Sequence, residues 1–194
     1  MKLRPVLKSF SKPEWVQAVL NDFDAFLIDH ADGERKAAAM AMGLVAKYPN
    51  RVEIIPKLIE NAIEELEHLR IVYELMRRRG LQLTHSLKQD EYVTRLMKMT
   101  HDGREEKFLD RLLLASVIEQ RGMERFQALE DALEDEELKK FYRQIRIDEA
   151  KHGYIFVEMA LNYFDEETVK KRLNWWVDRE QEVFESIPVR PLIH

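Results

Sequence analysis

The sequence predicts an all-α protein: a four-helix bundle extended by short N-terminal, connecting and C-terminal helices. The 194 residues contain only six Gly and six Pro and are rich in the good helix formers Leu, Ala, Glu, Lys and Arg. Apolar residues recur at helical spacing through four long segments. These segments form two similar pairs, and each pair carries the same arrangement of Glu and His.

Start and stop signals place the first helices. Ser11 stands three residues before Glu14, with Pro13 between them, which is the spacing of a capping box and predicts a short helix. The first long helix is expected over about 21–47, and the second from after residue 50 to near Gly80. Pro56 is expected inside the second helix, where it would kink the first turns.

The rest of the chain continues the helical pattern. After the second helix we expect a loop over 81–89 and a short helix near 90–101. We then expect long helices over 104–133 and 135–164, a last helix over 166–186 and an extended arm over 188–194. We expect a single domain over 1–194, with its core bundle at about 21–164 and the C-terminal helix and arm at 165–194.

Composition excludes several classes of protein. The chain has no Cys, which rules out disulfides, zinc–thiolate sites and iron–sulfur clusters. No apolar run approaches the roughly 20 residues of a membrane span, and no signal-peptide core is present, so we expect a soluble, cytoplasmic protein without a membrane partner. The formal net charge of −5 argues weakly against a nucleic-acid partner, but two bound divalent cations would leave the molecule nearly neutral.

A pattern of metal-ligand residues occurs twice: a lone Glu, then about thirty residues later a Glu-x-x-His. The copies are Glu34 with Glu65-Leu-Glu-His68, and Glu119 with Glu149-Ala-Lys-His152. Residues three apart on a helix face the same side. Four carboxylates and two imidazoles arranged in this way are the ligand set of ferritin-like di-iron proteins. The sequence therefore predicts a dinuclear metal site.

Helical phase places each of the four glutamates in the middle of an apolar stripe. A carboxylate in a dry core is costly unless it is protonated, paired or bound to metal. Glu124 competes with Glu119 because Glu124-Arg125 resembles Glu34-Arg35, but it lies about 140° from the stripe at 100° per residue. The spacing to Glu149 also favours Glu119.

Three polar residues lie beside these ligands. Glu64 and Asp148 each precede a Glu-x-x-His, and two interpretations stay open: a hydrogen bond to a ligand His, or an ordinary helix surface. His30, one turn before Glu34, is either a satisfied core histidine or a group close to the metals.

The segment from Asp29 to Ala38, together with Glu64-Glu65, Ile118-Glu119-x-Arg121 and Glu149-Ala-Lys-His152, resembles one family. These are the tRNA hydroxylases that act on 2-methylthio-N6-isopentenyl-adenosine beside the anticodon. Family members often carry Cys where this chain has Gly33, a departure that leaves the ligands intact.

The resemblance implies a non-haem di-iron monooxygenase. Such an enzyme uses dioxygen and electrons from an external reductase to hydroxylate the prenyl group on the anticodon arm of tRNA. By position, one side of the two-iron centre would comprise Glu34, Glu65 and His68, and the other Glu119, Glu149 and His152.

Two sets of residues are candidates for contacts with the substrate. Small residues that would leave space for a prenyl chain, or only permit close helix packing, are Ala31, Ala38, Ala115 and Ser116. Basic residues available to contact tRNA phosphates are Arg77, Arg78, Arg79, Lys139, Lys140, Arg143 and Arg146. A third basic run, Lys170 to Arg172, opens the last helix.

Other functions share this ligand pattern. A ferritin- or rubrerythrin-like peroxidase, or a di-iron oxygenase of a small lipid or aldehyde, would use the same six ligand residues. A manganese or mixed centre stays open because oxygen and imidazole ligands discriminate poorly between first-row metals. A metal-free helical interaction module would leave these six residues on apolar helix faces unexplained. The sequence sets no oligomeric state.

Overall fold

The computed structural model describes residues 3–85, 87 and 89–194. Within these residues all regular secondary structure is helical, as predicted, with no β-strand. The helices are α1 (Pro13–Asn21), α2 (Phe23–Lys47), α3 (Ile55–Arg78), α4 (Glu91–Met97), α5 (Arg104–Ala132), α6 (Glu136–Leu161) and α7 (Glu166–Ser186).

Aspartates begin many of these helices. A carboxylate at the N-cap accepts a hydrogen bond from a backbone N–H that has no partner within the helix. The caps are Asp22 to Ala25 N (3.2 Å), Asp90 to Val93 N (3.1 Å), Asp135 to Glu137 N (2.8 Å) and Asp165 to Thr168 N (2.9 Å). The backbone and side-chain hydrogen bonds from Thr168 hold the pKa of Asp165 below its usual value.

The start of α3 differs from the prediction. Pro56 does not kink an established helix; it lies in the first turn of α3, and residues 52–54 form a turn before it. Proline suits this position because its missing N–H would have no partner in a first turn anyway. At the other end Gly80 has φ +73°, and Leu81 N donates to Met76 O at 2.9 Å, so a left-handed glycine closes the helix.

Other helix boundaries shift by a few residues. The connecting helix α4 ends at Met97 instead of about 101, and Thr100 Oγ1 donates to Met97 O at 2.9 Å. The fourth long helix ends at Leu161 instead of 164. Ser11, expected to cap α1, contacts Glu124 on α5 instead. Residues 86 and 88 of the expected loop lie outside the described residues.

The chain groups into two compact units. The α2–α3 unit comprises Gln17–Lys88 and Arg190–Ile193, and the α5–α6 unit comprises Met1–Val16, Gln89–Val189 and His194. Each long helical hairpin of the predicted bundle therefore lies within one unit. The single domain over the whole chain stays a prediction.

In the α2–α3 unit, the two helices pack along their apolar stripes. Phe26, Leu27 and Ala31 on α2 are fully buried, as is Met76 on α3. The arm after α7 also contributes here: Ile193 is buried, and its backbone N–H donates to Asp29 Oδ2 at 2.8 Å. The predicted arm is therefore non-helical, and its residue Ile193 contacts α2 through Asp29.

In the α5–α6 unit, buried carboxylates meet guanidinium and indole groups. Asp110 on α5 is completely buried and accepts from Trp176 Nε1 at 3.0 Å and Arg172 Nε at 2.6 Å. His101 adds its backbone N–H, 2.8 Å from Asp110 Oδ2. These contacts fix α7 on α5. Arg172, which follows two exposed lysines in the sequence, is half-buried and paired with Asp110.

We predict that Asp110→Asn destabilises the protein by about 3–5 kcal/mol, because it leaves a partly buried guanidinium without its counter-charge. Urea denaturation of the apo protein measures the free energy of unfolding. The matched control is Asp131→Asn on the exposed side of α5, expected to change stability by less than about 0.5 kcal/mol. Equal effects of the two substitutions would contradict this account.

Candidate metal centre

The α2–α3 unit brings Glu34, Glu65 and His68 together. All three are at least 95% buried. His68 Nδ1 lies 3.7 Å from Glu34 Oε2 and 3.7 Å from Glu65 Oε2. One ligand atom from each side chain lies within 4.8 Å of the other two. We call this set the α2–α3 triad.

The second oxygen of each carboxylate in this triad is held from one helical turn earlier. His30 Nε2 lies 2.7 Å from Glu34 Oε1, and Asn61 Nδ2 donates to Glu65 Oε1 at 2.9 Å. His30 and Asn61 are themselves buried. The two Oε1 atoms are therefore tethered, and the two Oε2 atoms are the ones near His68. No role was predicted for Asn61 from the sequence, although its spacing to Glu65 repeats that of His30 to Glu34.

The α5–α6 unit brings together the second set, Glu119, Glu149 and His152, which we call the α5–α6 triad. His152 Nδ1 lies 3.3 Å from Glu149 Oε2, and a ligand atom from each residue lies within 4.8 Å of the other two. Glu149 and His152 are buried, whereas Glu119 is half-buried.

The chemistry of both triads suits a divalent metal ion. Each offers two carboxylates and one imidazole, with one ligand atom from each residue within 4.8 Å of the other two. Burying carboxylates is costly unless their charge is compensated, and a divalent cation would balance two carboxylates. Oxygen and imidazole ligands suit iron, and also manganese or zinc. The donor set therefore fits the iron that the sequence predicts.

The structure supports the choice of Glu119 over Glu124, because Glu124 is already engaged elsewhere. Its carboxylate accepts from Ser11 N at 2.8 Å, Ser11 Oγ at 2.9 Å and Arg121 Nη1 at 2.7 Å. Arg121, part of the family-like motif, is completely buried and also donates to Glu180 Oε1 at 2.8 Å. Both residues hold the N-terminal segment and α7 against α5.

The other candidates near the ligands have different surroundings. Glu64 is exposed on α3, and Asp148 is half-buried and accepts from Gln144 Nε2 at 2.9 Å. Ala31, Ala38 and Ala115 are buried. Ser116 Oγ donates to the backbone carbonyl of Gly153, so its hydroxyl joins α5 to α6.

The basic candidates on α3 are exposed but engaged with acidic neighbours. Arg77 Nη2 lies 2.8 Å from Glu74 Oε1, and this guanidinium lowers the pKa of Glu74. Arg79 Nε lies 2.6 Å from Asp24 Oδ1. Arg78 is exposed beside them.

The basic candidates on α6 are arranged around one carboxylate. Arg143 Nε and Arg146 Nε lie 2.6 Å and 2.8 Å from the two oxygens of Glu130. Burial alone would raise the pKa of Glu130, but these two hydrogen bonds lower it overall. Lys140 is exposed, and Lys139 is half-buried.

With only helices among its described elements and two carboxylate–histidine triads, the chain belongs to the ferritin-like class of helical proteins. Residues 2–194 match the model of one protein family, tRNA-(MS[2]IO[6]A)-hydroxylase (MiaE). The chain belongs to this family.

Individual proteins agree with this family. The chain is 34% identical over 190 residues to the tRNA 2-(methylsulfanyl)-N(6)-isopentenyladenosine(37) hydroxylase of Pseudomonas putida, covering 96% of this chain and 92% of that protein. The protein of the same name from Salmonella typhimurium is 26% identical over 134 residues, covering 69% of this chain and 48% of that protein.

A solved structure shares the fold. It is described as protein 43 with aldehyde deformylating oxygenase activity from Synechococcus, with a TM-score of 0.91 and 29% sequence identity. The match covers 97% of this chain and 94% of that one. This comparison confirms the predicted ferritin-like fold class.

We predict that Glu119→Ala removes at least one bound metal ion per chain, whereas Glu124→Ala keeps full metal content. Glu124→Ala should instead lower the free energy of unfolding by about 1–3 kcal/mol, because buried Arg121 loses a charged partner. Metal analysis after anaerobic iron reconstitution, with thermal denaturation in parallel, separates the two effects. A metal loss confined to Glu124→Ala would show that the wrong glutamate was chosen.

Proposed function

We propose that this protein hydroxylates the isopentenyl group of 2-methylthio-N6-isopentenyl-adenosine next to the anticodon in tRNA. The observation that carries the proposal is the family match over residues 2–194. The Pseudomonas putida relative, similar over nearly the whole length of both chains, is named for this activity. The two triads lie within the matched region and provide the donor groups that a metal-dependent hydroxylase needs.

We further propose that the α2–α3 and α5–α6 triads hold two iron ions. Bound iron would supply the activation of dioxygen, using electrons from a separate reductase. The protein's own contribution is to keep six ligand groups in place and to surround them with apolar side chains. The imidazoles of His68 and His152 must be neutral to bind metal, so acidification is expected to release it.

Several residues fit supporting roles in this proposal. His30, in hydrogen-bonding distance of Glu34, fixes that carboxylate, and Glu64 and Asp148 are candidates to orient the ligand histidines. The buried alanines Ala31, Ala38 and Ala115 are candidates to leave room for a prenyl chain. Ser116 is the weaker candidate for such a pocket, because its hydroxyl contacts the Gly153 carbonyl.

The surface arginines are proposed to meet tRNA phosphates. Exposed ion pairs such as Arg77–Glu74 contribute only about 0–1 kcal/mol, so a phosphate can compete with the carboxylate. The same exchange is open to Arg79, whose pair with Asp24 is also exposed. Arg78, Lys139, Lys140, Arg143 and Arg146 are further candidates for phosphate contacts, and Arg143 and Arg146 could meet a phosphate while they stay paired with Glu130. A tRNA substrate also supports a cytoplasmic location. Among the described residues, no helix has the length and apolarity to cross a membrane.

A second candidate function is oxidation of a small aldehyde or lipid. The solved structure with a TM-score of 0.91 is described by its aldehyde deformylating oxygenase activity. A prenyl group and a fatty aldehyde are both largely apolar, so a buried metal centre suits either. The basic residues on α3 and α6 favour the tRNA substrate, since a fatty aldehyde has no phosphates for them to contact.

Iron-loaded protein is expected to hydroxylate the prenyl group of tRNA carrying 2-methylthio-N6-isopentenyl-adenosine when supplied with oxygen and a reductant. Nucleoside analysis by mass spectrometry measures the product as a gain of one oxygen atom. The matched controls are the His68→Ala protein and tRNA lacking the prenyl group. Turnover of a fatty aldehyde with no product on prenylated tRNA would favour the second candidate.

Reversing the charge of a phosphate-contacting arginine should weaken tRNA binding. For Arg77→Glu we expect lower affinity and a salt dependence reduced by about one phosphate contact, with metal content unchanged. The matched control is Arg70→Glu, because Arg70 is equally exposed on α3 and makes the same type of ion pair with Glu67, at 2.7 Å. The corresponding change on α6 is Lys140→Glu. Equal tRNA affinity of all three variants would count against phosphate contacts by the basic residues of both α3 and α6.

A further inference from the structure

The two copies of the metal-ligand pattern differ one helical turn before their carboxylates. A residue four positions earlier on a helix lies on the same face as the ligand. In the α2–α3 triad these positions hold His30 and Asn61, whose side chains can donate hydrogen bonds. In the α5–α6 triad the equivalent positions hold Ala115 and Ile145, whose side chains have no polar atom.

Both donors in the α2–α3 unit contact their glutamates. His30 Nε2 is 2.7 Å from Glu34 Oε1, and Asn61 Nδ2 is 2.9 Å from Glu65 Oε1. Each carboxylate therefore has one oxygen fixed, and the other oxygen, Oε2, lies 3.7 Å from His68 Nδ1. This arrangement holds three ligand atoms near a common point before any metal arrives.

Burying the side chain of Asn61 carries a cost in free energy. The residue is only 2% exposed, and its Oδ1 has no hydrogen-bond partner among the described residues. A buried acceptor without a partner costs about 1–3 kcal/mol. A leucine there would avoid that cost but would leave Glu65 Oε1 without this donor. Packing alone therefore does not account for the amide.

We infer that Asn61 and His30 position the ligands of the α2–α3 triad, so that the two triads bind metal with unequal affinity and the α2–α3 triad fills first. Ligands already held in place lose less freedom when a metal binds, and hydrogen bonds to ligating carboxylates typically change metal affinity by about 10–100-fold. The inference rests on the proposed metal centre and adds an order of filling to it.

The test is anaerobic titration of the apo protein with Co²⁺, followed by visible absorption and by calorimetry. The wild-type protein should bind two equivalents in two separable steps. Asn61→Leu should weaken the tighter step about tenfold or more and leave the weaker step unchanged. The matched control is Ile145→Leu, at the equivalent position of the other repeat, which should change neither step. Circular dichroism checks that both variants remain folded.

Two further pairs of variants show which triad is responsible for each binding step. His152→Ala should keep the tight step and lose the weak one, and His68→Ala should do the reverse. His30→Leu should weaken the tight step, whereas His30→Gln, which keeps a donor near Glu34, should largely restore it. Restoration by Gln separates positioning from simple filling of the core.

The titration distinguishes a failure of the proposed order of filling from a failure of the proposed metal centre. Two equal binding steps in the wild-type protein, or equal effects of Asn61→Leu and Ile145→Leu, would overturn the inference and leave the proposed function standing. A tight step lost in His152→Ala would reverse the order of filling and also overturn it. A folded wild-type protein that binds no Co²⁺ and no iron would overturn the metal centre itself.

Discussion

The cost of burying carboxylates inside helices is the constraint on which the rest of this structure depends. A buried negative charge requires compensation close by, because the apolar interior solvates it poorly. In this protein that requirement recurs along α2, α3, α5, α6 and α7. The chemical nature of the compensating group separates the residues that hold the fold together from those suited to bind metal.

The buried carboxylates outside the triads contact arginine. Asp110 meets Arg172, Glu180 meets Arg121, and Glu130 meets Arg143 and Arg146. The hydroxyl of buried Tyr92 also donates to Glu180, and burial together with the charge of Glu180 raises the pKa of that phenol well above its usual value. Guanidinium pairing leaves these carboxylates little capacity for a cation, so they stabilise contacts between helices.

Carboxylates inside the triads have partners of another kind. Glu34 and Glu65 meet imidazole and amide groups, and Glu149 meets His152. An imidazole or amide can orient a carboxylate through a hydrogen bond. The triads thus bring carboxylates and imidazoles together in a largely buried setting that suits a divalent metal, which is consistent with membership of a hydroxylase family in the ferritin-like class.

The helical class, the order of the helices and the residues that form the two triads could be predicted from the sequence. These predictions use short-range regularities: apolar spacing, helix start and stop signals, and Glu-x-x-His pairs whose members lie on one helical face. The contacts of Glu124, Arg172 and Ser116 follow from the tertiary structure alone, because their partners are remote along the chain. Glu124 meets Ser11, 113 positions away, and Arg172 meets Asp110, 62 positions away. No local pattern encodes such pairs, since they exist only once the helices have packed.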